Sequence, residues 1–210
     1  MVVDRKACSY NALKQCRYGM PLVEMVGFTC THMTFNIAYA FTRAEKTFNY
    51  TWIMRKLRAL FEDLGVMPTA IMTDCEMALI KGIRNVFGNE VQHLLCWIHI
   101  KHNIEAYASK VLKNRSRVDA FARQCWGLFC STTEERYEER LQKLRTSWKG
   151  GLVGYVEREW LTPHKKGIVR AWTDHHRHFF TRTSNRFEYI FSNAFNTVYL
   201  HHLVCHVLSL

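Results

Sequence analysis

Apolar residues recur along this chain with two different periods. Between residues 20 and 30, Leu22, Val23, Met25, Val26 and Phe28 crowd into one short run, which predicts a β-strand. Residues 34–42 alternate apolar with small or polar side chains and predict a second strand, paired with the first across a short connection at residues 31–33. The period then changes. Trp52, Ile53, Leu57, Leu60 and Phe61 fall three and four residues apart, which sets them on one side of a helix over residues 49–64. Pro68 restarts the chain, and residues 69–73 form a short apolar strand that Asp74 ends. Residues 76–87 return to helical spacing through Met77, Ile80, Ile83 and Val86 or Phe87, and residues 91–97 predict a further strand. Strand, strand, helix, strand, helix, strand is an α/β layer pattern.

From residue 99 the pattern is helical throughout. Phe121, Cys125, Leu128 and Phe129 share a face, and Thr132 or Thr133 before Glu135 offers a helix start. Charges of alternating sign over residues 134–145 predict an exposed helix laced with weak ion pairs. Gly150 and Gly151 interrupt it. Trp160, Trp172, Phe179 and Phe180 sit in a stretch more helical than extended, and Thr183, Ser184 and Asn185 resemble a cap before a last helix near Arg186. The first 18 residues carry only weak periodicity.

The chain has 210 residues, 48% hydrophobic and 22% charged, which excludes global disorder and allows a sizeable core. Lys and Arg number 29 against 18 Asp and Glu, a formal charge of +11. Such a charge suits a polyanionic partner, most simply nucleic acid, or else a merely solvated basic surface. Lys101, His102, Lys110, Lys113, Arg115 and Arg117 fall in one basic stretch. They read either as phosphate contacts without sequence readout or as a solvated helix face. No apolar run is long enough to span a membrane. The 8 cysteines are irregularly spaced and follow no signal-peptide pattern, so free thiols are expected.

Three constellations could carry chemistry. Asp74, in Thr73-Asp74-Cys75-Glu76, ends a parallel-type strand, where open α/β sheets hold their ligands. Its plainer role is to cap the following helix. Cys96 and His99 form a Cys-x2-His pair, half of a zinc site, with His102 nearby and His164, His175, His176 and His178 farther along. Without two more ligands they are a buried Cys at a strand end and a His at a helix start. Glu188 follows Thr183-Ser184-Asn185-Arg186-Phe187, a first-turn carboxylate that the helix dipole alone would favour.

Met20-Pro21-Leu22-Val23-Glu24-Met25-Val26-Gly27, Thr73-Asp74-Cys75-Glu76-Met77-Ala78-Leu79, Cys96-Trp97-Ile98-His99 and Thr183-Ser184-Asn185-Arg186-Phe187-Glu188 occur in that order. Together, over roughly residues 8–192, they resemble the Mutator-like element (MULE) transposase domain, also found in far-red-impaired-response-type plant regulators. The resemblance implies an α/β, ribonuclease-H-like mixed sheet with flanking helices and a helical insertion before the last catalytic helix. The core would take residues 1–98, the insertion 99–180, and the closing helix 181–210. It also implies Asp-Asp-Glu chemistry, in which three carboxylates hold two Mg²⁺ or Mn²⁺ ions that activate water or a 3′-hydroxyl against a phosphodiester. Asp74 would be the second carboxylate and Glu188 the third, while Cys96 and His99 match the family's Cys-x2-His motif, with zinc as an option. DNA is the implied partner, self-association a further one, and the nucleus the implied location.

The first carboxylate departs from the family pattern. Running back without gaps from Met20-Pro21-Leu22 aligns Tyr18, Arg17 and Lys14 and puts the Asp position at Tyr10. A neutral phenol cannot replace a carboxylate that bridges two cations. The alternative is Asp4, after Val2 and Val3, which requires extra residues before Arg17. An opening strand over residues 8–12 is poor in β-branched side chains, and Tyr189, Ile190 and Phe191 follow Glu188 where the family usually has Ser, a small residue and His. The zinc-binding recognition module common before this domain is not in the sequence. These departures predict a degenerate or truncated, catalytically impaired copy, or a non-catalytic module reused for DNA binding or protein association.

Overall fold

The computed structural model describes residues 2–6, 20–28, 34–148 and 151–175, with the side chains at 2–6, 28 and 34 outside that description. The architecture is mixed α/β, as the sequence pattern predicts. Strand β1 (Val2–Lys6) runs antiparallel to β2 (Leu22–Phe28), which runs antiparallel to β3 (Thr34–Phe41). On its other side β1 pairs in parallel with β4 (Ala70–Thr73), and β4 pairs in parallel with β5 (Gln92–Leu95). The order β3-β2-β1-β4-β5 puts β1 in the middle of one five-stranded sheet. The opening strand thus forms earlier than residues 8–12, which lie outside the described residues. Val2 and Val3 supply the β-branched residues that a central strand favours.

Helices α1 (Thr47–Asp63) and α2 (Met77–Phe87) cover one sheet face. Val23, Met25 and Ile71 from the sheet bury against Tyr50, Ile53, Met54 and Leu57 of α1 and Leu79, Ile83 and Phe87 of α2. Gly82 lets the two helices touch, because a Cβ there would stand 2.8 Å from the Cβ of Tyr50.

The second half is helical. It comprises α3 (Trp97–Leu112), α4 (Arg115–Phe129), α5 (Glu134–Ser147), α6 (Gly151–Val156), a π-helical turn at Glu157–Leu161, α7 (Thr162–Ile168) and α8 (Arg170–Thr173). Its core centres on Ile100, Ile104, Phe121, Leu128, Phe129 and Leu144. The predicted strand at residues 91–97 stops at Leu95. Cys96 donates the last ladder bond to the Thr73 carbonyl at 2.8 Å, and its own carbonyl then accepts the first turn of α3 from Ile100 at 3.2 Å. Gln92 of β5 ties the halves together by donating from Nε2 to the Lys166 carbonyl at 3.0 Å, and within the helical half Trp97 donates from Nε1 to the Ile168 carbonyl at 2.8 Å. Among the described residues, no helix is long and apolar enough to cross a membrane.

Candidate active site

Asp74 follows the last residue of β4 and is 8% exposed. Its Oδ1 accepts the Glu76 backbone N–H at 3.2 Å, a side-chain turn two residues long. The helix cap itself is Glu76, whose carboxylate accepts the Ala78 N–H at 3.1 Å. The expectation that Asp74 caps α2 is therefore corrected. Glu76 satisfies the helix end, and Asp74 is held one turn earlier, at the end of the strand.

Two further groups fix that strand end. The Thr73 hydroxyl donates to the Asp74 carbonyl at 2.7 Å and lies 2.9 Å from Nε2 of His93 on β5. Burial first, then the charges of His164 and Arg84, push His93 down to about 4, so its ring is neutral at pH 7. The hydroxyl's one proton goes to the carbonyl, so Nε2 carries the ring proton and donates to Thr73. Next to Asp74, burial and then the charges of Asp74 and Cys96 push the Cys75 thiol up to about 12. Cys75 is thus a protonated packing residue, not a nucleophile.

The sheet register brings other carboxylates into line with Asp74. Val2 on β1 pairs with Met72 on β4. Asp4 lies two residues beyond Val2 on β1, and Asp74 lies two residues beyond Met72, just past the end of β4. On the other side of β1, Asp4 pairs with Glu24 of β2, and Glu24 pairs with Tyr39 of β3. Adjacent strands lie about 4.8 Å apart, and directly paired positions share a sheet face. Glu24 is 4% exposed. Tyr39 hydrogen-bonds to it, and burial, then the Glu24 charge and that hydrogen bond, raise the Tyr39 phenol to about 12. Tyr39 therefore remains a donor across the ordinary pH range. Sequence reading did not single out Glu24 or His93. For Glu24 the only signal was a lone polar residue inside an apolar strand run, and His93, beside Gln92, carries no such signal.

Carboxylate oxygens are the hard donors that Mg²⁺ and Mn²⁺ take, so Asp74 fits a divalent cation by the chemistry of its side chain. Cys96 and His99 do not extend to a zinc set among the described residues. Cys96 is fully buried at the N-cap of α3, and His99 lies half-buried in that helix's first turn. Of the other histidines, His164 is on α7, while His102 and His175 are exposed. Among the described residues, no group of three or more His, Cys, Asp or Glu side chains could hold a metal. Tyr10, His176, His178 and Glu188 lie outside the described residues.

The basic candidates are all exposed and fall on two adjoining helices. Lys110 is in the last turn of α3, and Lys113 closes that helix in the left-handed conformation, φ 50°. Asn114 then caps α4 by accepting the Arg117 N–H at 3.0 Å. Lys110, Lys113, Arg115 and Arg117 therefore gather at one helix corner. Arg115 pairs with Asp119 at 3.0 Å, and the Arg117 guanidinium sits 5.8 Å from the Trp148 ring centroid. Lys101 lies back along α3, 3.8 Å from Glu105.

No curated protein matches this chain. The family model of the MULE transposase domain matches residues 10–103, the stretch that begins at Tyr10, runs through β2 to β5 and carries Asp74, Cys96 and His99.

Proposed function

We propose that this chain is a transposase-derived DNA-binding domain with a ribonuclease-H-like core, whose Asp4, Asp74 and Glu188 form a divalent-cation site for phosphodiester chemistry. The observation that supports this reading is the parallel pairing of Val2 on the central strand with Met72 on β4, from which Asp4 and Asp74 each lie two residues on. A mixed sheet followed by a helical block, ahead of Glu188, is also what a ribonuclease-H-like core with a helical insertion calls for. In this reading residues 1–98 and 181–210 make the core, residues 99–180 are the insertion, and the protein works on nuclear DNA.

When bound, Mg²⁺ or Mn²⁺ would activate a water or 3′-hydroxyl and stabilise the entering and leaving oxygens. The chain's own part is to hold the carboxylates and the DNA. Asp74 is steadied by the Glu76 N–H, and the strand beneath it by Thr73 and His93. Lys110, Lys113, Arg115 and Arg117 offer a phosphate-binding corner, and the net charge of +11 draws the polyanion in.

A second reading rests on a specific observation: the family match begins at residue 10, at Tyr10, and leaves Asp4 outside it. If the first carboxylate position is Tyr10, the chain is a catalytically impaired copy, or a non-catalytic module reused for DNA binding or protein association. Thermal unfolding with and without Mn²⁺ separates the two. A cation at 100 times its dissociation constant adds about 2.7 kcal/mol. Stabilisation of the unaltered protein that is lost in Asp4→Asn and in Asp74→Asn, together with Mn²⁺-dependent nicking of supercoiled DNA, supports the first reading. Stabilisation of Tyr10→Asp alone supports the second.

A further inference from the structure

We propose that the seam where α2, β5 and α7 meet is a second phosphate-binding site, in which Arg84 and His164 take a backbone phosphate of bound DNA. This inference rests on the DNA-binding reading above and adds a contact outside the corner formed by α3 and α4.

Packing brings the groups of the seam together. Helix α7 closes on β5 at short range: a Cβ on Gly167 would stand 2.6 Å from the His93 carbonyl, and the Gln92 side chain reaches the Lys166 carbonyl at 3.0 Å. Helix α2 approaches the same place, since its Ile80 is buried in one cluster with Leu95 at the end of β5 and Ile168 at the end of α7. Arg84 follows Ile80 by one helical turn, on the same side of α2. Its charge acts on both His164 of α7 and His93 of β5. Arg84 is exposed and His164 half-buried, so a ligand can reach both from solvent.

The charges gathered there have one sign. Burial, then the Arg84 charge, lowers His164, and burial, then the charges of His164 and Arg84, lowers His93. No acidic group among the described residues acts on either ring. Arg58, Arg115, Arg145, Arg158 and Arg170 each hold a carboxylate, whereas Arg84 pairs with none among the described residues. Lys81 on α2 and Lys166 on α7 add exposed positive charge beside it. His93 is committed to the Thr73 hydroxyl, which leaves His164 as the imidazole open to a ligand.

A phosphate suits this set. The planar guanidinium of Arg84 matches two phosphate oxygens at once. The His164 ring donates one N–H, and the nearby anion favours its protonated form. Repulsion among like charges then becomes attraction to the ligand.

The test uses the full chain with a short DNA duplex, and with inorganic phosphate as a second probe. Histidine ring signals are followed by NMR across a pH series, and the His164 signal is the one absent from His164→Gln. In the free protein, His164 should titrate below its ordinary 6.5, and Arg84→Gln should raise it. Duplex DNA should also raise the His164 midpoint in the unaltered protein and have little effect in Arg84→Gln. Arg84→Gln should weaken DNA binding about three- to tenfold and reduce the slope of log K against log salt by about 0.9, the value for one phosphate. Arg84→Lys, which keeps the charge without the fork, should hold His164 low and lose less affinity. DNA binding with an unmoved His164 midpoint, and with the salt slope unchanged in Arg84→Gln, overturns the site and leaves the DNA-binding reading standing. A His164 midpoint that moves with inorganic phosphate but not with DNA overturns the DNA backbone as the source of the phosphate. No DNA binding by the unaltered protein overturns both readings.

Discussion

The sheet half and the helical half bury different chemistry. Among the described residues, the buried carboxylates Glu24 and Asp74 both belong to the sheet half, whereas the buried polar residues of the helical half are Ser131 and Thr173. A buried hydroxyl is cheap to satisfy, while a buried carboxylate needs a compensating charge or a proton. The helical half is filled instead by aromatic contacts. Phe121 meets Trp148 at 5.1 Å and 72°, Tyr137 meets Trp172 at 5.1 Å and 86°, and Trp97 meets Trp126 at 4.6 Å and 82°. Edge-to-face pairs of this kind add to the burial of the rings themselves. The difference suggests a division of labour: the sheet half gives up stability to hold charge, and the helical half supplies stability and a basic surface.

The strongest way to break that comparison is to hollow out the aromatic core. Phe121 is fully buried between Trp148 and the helices around it. Phe121→Ala should cost about 3–5 kcal/mol, the range for truncating a core aromatic. Urea unfolding followed by tryptophan fluorescence measures it directly, because Trp97, Trp126, Trp148, Trp160 and Trp172 all lie in the helical half. A loss below about 1 kcal/mol would mean that the site collapses around the missing ring and that stability resides elsewhere.

The basic corner sharpens the comparison from the functional side. Replacing Lys110, Lys113, Arg115 and Arg117 together by Ala should weaken duplex DNA binding roughly ten- to hundredfold at moderate salt. The slope of log K against log salt should shrink by about 0.9 for each phosphate that the variant no longer neutralises. Fluorescence anisotropy over a salt series reads both quantities. Asp74→Asn, in the sheet half, should leave the slope where it is. An unchanged slope in the fourfold variant would return these residues to a solvated face, with Arg115 kept for Asp119 and Arg117 for Trp148.

Acid should strike the sheet half first. His93 is held near 4 in the folded protein against an ordinary value of 6.5. Its folded value lies below its unfolded one, so the unfolded chain takes up the proton first as pH falls. The stability that neutral His93 contributes is therefore complete above pH 6.5 and is lost as pH drops towards 4. The loss is on the order of 3 kcal/mol over that window. His164, also lowered by burial and by Arg84, changes stability in the same direction. Urea midpoints at a series of pH values give the slope, and His93→Gln should flatten most of it. A slope that persists in full would assign the acid sensitivity to groups other than the Thr73 anchor.

How much of this was legible in the sequence depended on where each signal came from. Strands β2, β3 and β4 and helices α1 and α2 follow local periodicity, and each forms within about two residues of the predicted span. Strand β1 does not, because its place is set by pairing on both edges, with β2 and with β4. The end of β5 was also hidden, since the apolar run continues through Cys96 and Trp97 while the backbone has already turned into α3. In the site, Asp74 was legible because a strand end followed by a helix is a local pattern. Glu24 and His93 were not, because what makes them matter is a partner on another strand, Tyr39 or Thr73.

The smallest expected effect tests the helical half from its edge. Thr133 caps α5, its hydroxyl accepting the Arg136 N–H at 3.3 Å, and Glu134 and Glu135 follow in the first turn, where a helix dipole favours negative charge. Thr133→Ala removes the cap acceptor but leaves both acidic residues, so the helix end keeps part of its compensation. The expected loss is about 1 kcal/mol, read by the same urea titration as Phe121→Ala. The ratio of the two losses is the informative quantity. A cap worth about a quarter of the buried ring means that Tyr137, Leu141 and Leu144 of α5 are held by what they pack against. A cap worth as much as the ring would mean instead that α5 depends on its own end and that the aromatic pairs follow the helix rather than hold it.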